Sequence, residues 1–113
     1  MNLRLAIGLM LATPASAGDY VDAVSKAFDR APAMMESWTG RQWSRASEID
    51  QDGFGFWYMI EVEKASKAMR AELTQQNVQD CITREAKKIP SAPLKEMAAY
   101  CTIQDFNGST SRP

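Results

Sequence analysis

Asp50-Gln51-Asp52-Gly53-Phe54-Gly55-Phe56-Trp57-Tyr58-Met59-Ile60-Glu61 is the stretch on which the fold class turns. Residues 56–60 are dominated by aromatic side chains and have high strand propensity. Paired with residues 42–49 across Asp52-Gly53, they form a hairpin, giving an α+β domain with the hairpin at about residues 42–62. Followed downstream, the same run supports a helix. Tyr58, Val62, Ala65, Met69 and Leu73 fall on one helical face, and Lys64, Lys67 and Arg70 gather toward the C-terminal end, where the helix dipole favours cations. The helical alternative is preferred, from about residue 56 to 73, with residues 41–55 as a polar loop punctuated by Asp50, Asp52, Gly53 and Gly55.

Helical patterns also lie on both sides. Asp19 is placed to cap a first helix whose Tyr20, Val21, Val24, Ala27 and Phe28 recur at helical spacing as far as about Arg30. Pro32 then opens a second short helix over residues 33–38, closed by Gly40. Downstream, Thr74 caps a helix with Val78, Cys81, Ile82 and Ile89 as its apolar stripe. Pro90-Ser91-Ala92-Pro93 breaks that helix, and Leu94, Met97, Ala98 and Cys101 form the inner face of a last one. Residues 107–113 are polar and are expected to be a disordered tail. The fold expected is all-α: a small bundle of four or five short helices in a single domain over residues 18–106.

Cys81 and Cys101 are the two cysteines of the chain. Cys81 lies eight residues before Ile89 and Cys101 nine after Ala92, so each sits about 12 to 14 Å from the intervening turn at about 1.5 Å per residue. Antiparallel helices therefore bring them level, and a disulfide between them is expected.

Residues 1–17 carry Arg4, an apolar run over residues 5–12 and the small trio Ala15-Ser16-Ala17, the pattern of a cleaved export signal. The run is shorter than the roughly 20 apolar residues that span a bilayer, and Thr13-Pro14 interrupts it, so no stable membrane insertion is expected after cleavage. A periplasmic or secreted protein of 96 residues follows, with 12 Lys and Arg against 14 acids. That balance, with no basic run longer than Lys87-Lys88, argues against nucleic acid as a partner. The chain has no His, which removes Ser-His-Asp and Cys-His nucleophilic sites and the commonest zinc ligand.

Three constellations remain. The opening stretch resembles the twelve-residue calcium loop of EF-hand proteins, with Asp50, Asp52 and Glu61 at its first, third and twelfth positions and Gly55 at its sixth. Phe54 stands at the fifth position, where that loop supplies a ligand oxygen, and no partner loop accompanies it. The residues themselves favour a polar turn leading into an aromatic core segment, so no metal or other cofactor is expected.

The second constellation is aromatic: Trp38, Trp43, Phe54, Phe56, Trp57 and Tyr58 crowd into one quarter of the chain. Most of these rings belong in a core. At least one of Trp38, Trp43 and Trp57 is nevertheless expected to stay exposed as an anchor for a protein partner.

Third, the acid pairs Glu61 with Glu63 and Glu48 with Asp50 have the residue type of a glycoside-cleaving pair, but closeness in sequence is poor evidence for one, and such acids are usually solvated surface. The function expected is that of a small exported binding protein working through protein contact, as an inhibitor, immunity-type or envelope accessory protein, rather than an enzyme. A cell-wall-active hydrolase and a calcium-dependent module are the alternatives.

Overall fold

The computed structural model describes residues 17–110, of which 86% are helical, and the expected export signal lies almost wholly outside that range. Six helices follow one another: α1 (Ala17–Ser37), α2 (Gly40–Arg45), α3 (Glu48–Ala65), α4 (Lys67–Ala71), α5 (Gln75–Lys88) and α6 (Leu94–Thr110). No strand is formed among the described residues, so the all-α expectation holds and the hairpin alternative at 42–62 fails. Strand propensity at residues 56–60 loses because the segment is continuous with a helix capped nine residues upstream, at Ser47. The Ser47 hydroxyl accepts from the Asp50 N–H at 3.1 Å, and Glu48 and Asp50 place negative charge in the first turn.

The expected polar loop at 41–55 is therefore mostly helix, and its glycines serve close packing. A Cβ on Gly53 would lie 2.9 Å from the Phe28 backbone nitrogen and 3.0 Å from the Ala27 carbonyl carbon, so α1 and α3 meet there almost backbone to backbone. A Cβ on Gly55 would press into the amide of Gln79, 2.6 Å from its Cδ, where α5 approaches. The two glycines thus seat two different neighbours on α3.

Pro32 does not divide the first segment. α1 runs through it, with the proline exposed and with Ala31 and Met34 buried beside it, so core packing outweighs the lost N–H donor. After Ser37 the chain turns by using the break before α6 as a partner. Gly40 N–H donates to Ala92 O at 2.9 Å, Arg41 N–H to Pro90 O at 2.9 Å, and Leu94 N–H to Trp38 O at 2.8 Å. Gly40 begins α2 rather than ending a helix, because a Cβ there would stand 3.0 Å from Ala86 Cα on α5.

The helix expected over 56–73 stops at Ala65. Ser66 closes α3 through its N–H to Val62 O and opens α4 through its hydroxyl, which accepts from Met69 N–H at 3.1 Å. Thr74 takes the expected N-cap position before α5, but its side chain makes no capping hydrogen bond; its N–H is held by Asp105 of α6 at 2.8 Å. The last helix continues past the expected start of a disordered tail: residues 107–110 are helical, and 111–113 lie outside the described residues. Phe106 packs on the core just before this extension, and the Ser109 hydroxyl bonds Glu72.

Trp43, Phe54, Ile82, Leu94, Val78 and Cys101 are the largest fully buried side chains and define the centre, where α2, α3, α5 and α6 converge. Cys81 and Cys101 are joined across α5 and α6 with Cα atoms 5.7 Å apart. Tyr58 brings a hydroxyl into this interior, bonded to Thr102 Oγ1 at 2.8 Å, and burial raises its pKa above the usual tyrosine value, with the Thr102 bond opposing the shift. Ile89 departs from its expected stripe: it is the C-cap residue of α5 and is exposed.

Candidate functional site

On α3, Phe54 and Phe56 are two residues apart and so about 200° apart around the helix axis. Phe54 turns inward, edge-on to Trp43 at 5.5 Å and stacked with Tyr58 at 5.8 Å. Phe56 turns the other way and meets Phe28 of α1 with ring centroids 5.5 Å apart. Since Gly53 lets α1 sit close, Phe28 and Phe56 are brought together at the surface with Val24, Val21 and Tyr20 extending along α1. These side chains and Ser25 line a groove of about 290 Å³. Its walls are apolar and accessible: Val21 is 61% exposed, Tyr20 51% and Phe56 50%. The Tyr20 hydroxyl reaches Asp52 Oδ2 at 3.4 Å at the groove's edge.

The tryptophans expected to anchor a partner lie elsewhere. Trp43 is completely buried, and its indole N–H donates to Thr83 Oγ1 at 3.0 Å, so both its surface and its polar handle are used within the fold. Trp38 and Trp57 are partly buried against the core, and none of the three is among the exposed large apolar residues. The aromatic-rich stretch does contribute to the surface, but through Phe56. The signal was the two-residue offset from Phe54, which separates the rings only if the helix begins upstream of both.

Asp50, Asp52 and Glu61 do not form a calcium loop. They stand on one continuous helix, where Asp52 and Glu61 point to opposite sides and Asp50 and Glu61, though on one side, are about 16 Å apart along the axis. Each has a protein partner instead: Asp50 pairs with Arg30, Asp52 accepts from Gln79 Nε2 at 2.9 Å, and Glu61 pairs with Lys64 at 3.1 Å. Among the described residues no cluster of three or more metal-ligating side chains is placed to hold an ion. The same helical register turns Glu48 away from Asp50 and Glu61 away from Glu63, so neither adjacent pair makes the facing carboxylates of a hydrolase.

Two other depressions are weaker candidates. A polar cleft over the disulfide is lined by Asn77, Asp80, Arg84, Gln104 and Asp105. Asp105 there is committed to the fold, with one oxygen on Thr74 N–H and the other on Asn77 Nδ2 at 3.1 Å. A shallower surface near Ile89 and Tyr100 is edged by Glu85 and Glu96 and lacks a paired aromatic floor. The groove between α1 and α3 is the best-formed apolar site. Comparison with known proteins finds no matching family model, no similar curated protein and no similar solved structure.

Proposed function

We propose that the protein is a small exported binding protein that acts by protein–protein contact, with the groove between α1 and α3 as its contact surface. The observation that carries this reading is the exposure of Tyr20, Val21 and Phe56 together beside Phe28, in a domain whose other large aromatics are mostly packed inside. Contiguous apolar surface of this kind costs solubility and is characteristic of binding sites, where aromatic side chains supply much of the energy. The Cys81–Cys101 bridge supports an oxidising compartment, and no helix among the described residues is long and apolar enough to cross a membrane. Inhibitor, immunity-type and envelope accessory roles all use such a surface.

The test is affinity capture from the native source with the wild-type chain and with Val24→Asp and Phe56→Ser, each checked for an unchanged circular dichroism spectrum. A partner retained by the wild type and lost from both variants is expected. A partner retained equally by all three proteins would place the interface elsewhere.

A further inference from the structure

The charge around the groove is one-sided. Ser25 forms its outer wall on α1, and Asp22 and Asp29 lie three residues before and four after it, which places both on the flank next to Ser25. Both are exposed and neither has an ion-pair partner among the described residues. On the opposite wall Asp52 lies four residues before Phe56, one turn along the same face, and is held at the groove's edge by Tyr20 and Gln79. The nearest bases lie away from the groove, although Lys26 is within one helical turn of Asp22 and Asp29 and offsets them in part. Arg30 is paired with Asp50, and Lys26 falls about 100° beyond Ser25 around α1, farther from the groove than either Asp22 or Asp29. An apolar floor is thus flanked on both sides by carboxylates.

The floor also has a register. Val21, Val24 and Phe28 follow one another at intervals of three and four residues, the spacing by which one helix presents a seam to another. We propose that the groove between α1 and α3 receives a cationic amphipathic helix of a partner protein. The partner's apolar side chains, repeating at the same spacing, lie on Val21, Val24, Phe28 and Phe56, while Lys or Arg residues flanking that stripe face Asp22, Asp29 and Asp52. The inference rests on the groove being the contact surface and adds the chemistry of what it accepts.

A second copy of the chain is disfavoured as occupant, because a two-fold pairing through this face brings the acidic flank of one copy toward that of the other. An anionic lipid surface is disfavoured by the same carboxylates.

The proposal is tested with the isolated protein and two labelled model peptides: a Leu/Lys amphipathic helix and its counterpart with Glu at every Lys. Fluorescence anisotropy is expected to show the Lys peptide binding at least about tenfold more tightly than the Glu peptide in low salt, with the difference shrinking as salt screens it. The double variant Asp22→Asn/Asp29→Asn should lose most of that preference. Phe56→Ser should weaken the Lys peptide by about tenfold or more while the circular dichroism spectrum is unchanged. Equal affinity for the two peptides would overturn the cationic assignment and leave the groove as a contact surface. Lys-peptide binding unaffected by both Phe56→Ser and Val24→Asp would overturn the groove itself. Self-association in sedimentation that Val24→Asp abolishes, or tighter binding to phosphatidylglycerol vesicles than to the Lys peptide, would replace the proposed occupant and refute it.

Discussion

Two aromatic pairs share helix α3, and their ring centroids are equally far apart. Trp43 with Phe54 and Phe28 with Phe56 are both separated by 5.5 Å, yet the first pair has both rings fully buried while half of Phe56 remains in water. Ring chemistry does not distinguish them. The difference lies in what covers each side of α3: helices α2 and α5 close over Phe54, whereas α1 crosses at Gly53 and leaves its own apolar flank and Phe56 uncovered. A small domain can therefore bury one side of an aromatic helix and leave the other in solvent.

The largest expected effect comes from setting the two pairs against each other by mutation. Trp43→Ala should destabilise the fold by about 4 kcal/mol, through the cavity it leaves and the loss of the bond to Thr83. Phe56→Ala should cost less than about 1 kcal/mol, because its ring is already half solvated. Urea unfolding of the two variants measures this, and similar losses would break the distinction between core and surface rings. Next, Cys101→Ser should remove about 3 kcal/mol by freeing the loop closed between α5 and α6, read as a lower urea midpoint with the native helical spectrum retained before unfolding. A variant as stable as the reduced wild type, with both well below the oxidised protein, would be consistent. An oxidised protein no more stable than Cys101→Ser would not.

Gly53→Ala sharpens the comparison from the side of α1. Alanine is better than glycine in a helix by about 1 kcal/mol, but here its Cβ would meet the backbone of Ala27 and Phe28, and backbone cannot step aside as a side-chain end can. A net loss of about 2 kcal/mol is expected in thermal unfolding, and a gain would mean that α1 does not approach α3 this closely.

A smaller effect concerns Tyr58, behind Phe54. Its pKa is raised by burial, so the folded state favours the neutral phenol. The associated stability is present below the unfolded pKa of about 10 and is lost as pH rises beyond it toward the folded value. Tyr58→Phe should cost about 1 kcal/mol near neutral pH by leaving Thr102 without the tyrosine hydroxyl, yet its melting temperature should fall less steeply than that of the wild type above about pH 10. Parallel declines would contradict the assignment.

The parts of this arrangement that could be read from residues alone were those set by a single local rule. The Cys81–Cys101 bridge followed from equal distances to one turn, and the inner face of α6, Leu94, Met97, Ala98 and Cys101, from helical period; all four are buried. The groove could not be read in the same way, because it depends on a glycine, Gly53, whose meaning is tertiary. Gly53 and Gly55 beside Asp50 and Asp52 have the composition of a turn, and only the approach of Ala27 and Gln79 explains them inside a helix. Starting the helix at residue 56 rather than 48 put Phe54 in a loop and hid its opposition to Phe56. Pro32 misled similarly, since its local cost is offset by the burial of Ala31 and Met34 at long range. Ring type alone makes Trp43 an anchor candidate, but the Thr83 hydroxyl 40 residues away satisfies its N–H in the interior.

The central claim, that the uncovered side of α1 and α3 is the binding surface, is tested most directly by following the backbone amide resonances of the isotopically labelled protein during titration with the Leu/Lys peptide. The account predicts that the largest shifts cluster on residues 20–28 and around Phe56, while the amides of Trp43, Ile82 and Leu94 stay nearly fixed. Shifts concentrated instead on the cleft over the disulfide or around Ile89 and Tyr100, or no shifts at peptide concentrations well above micromolar, would contradict it.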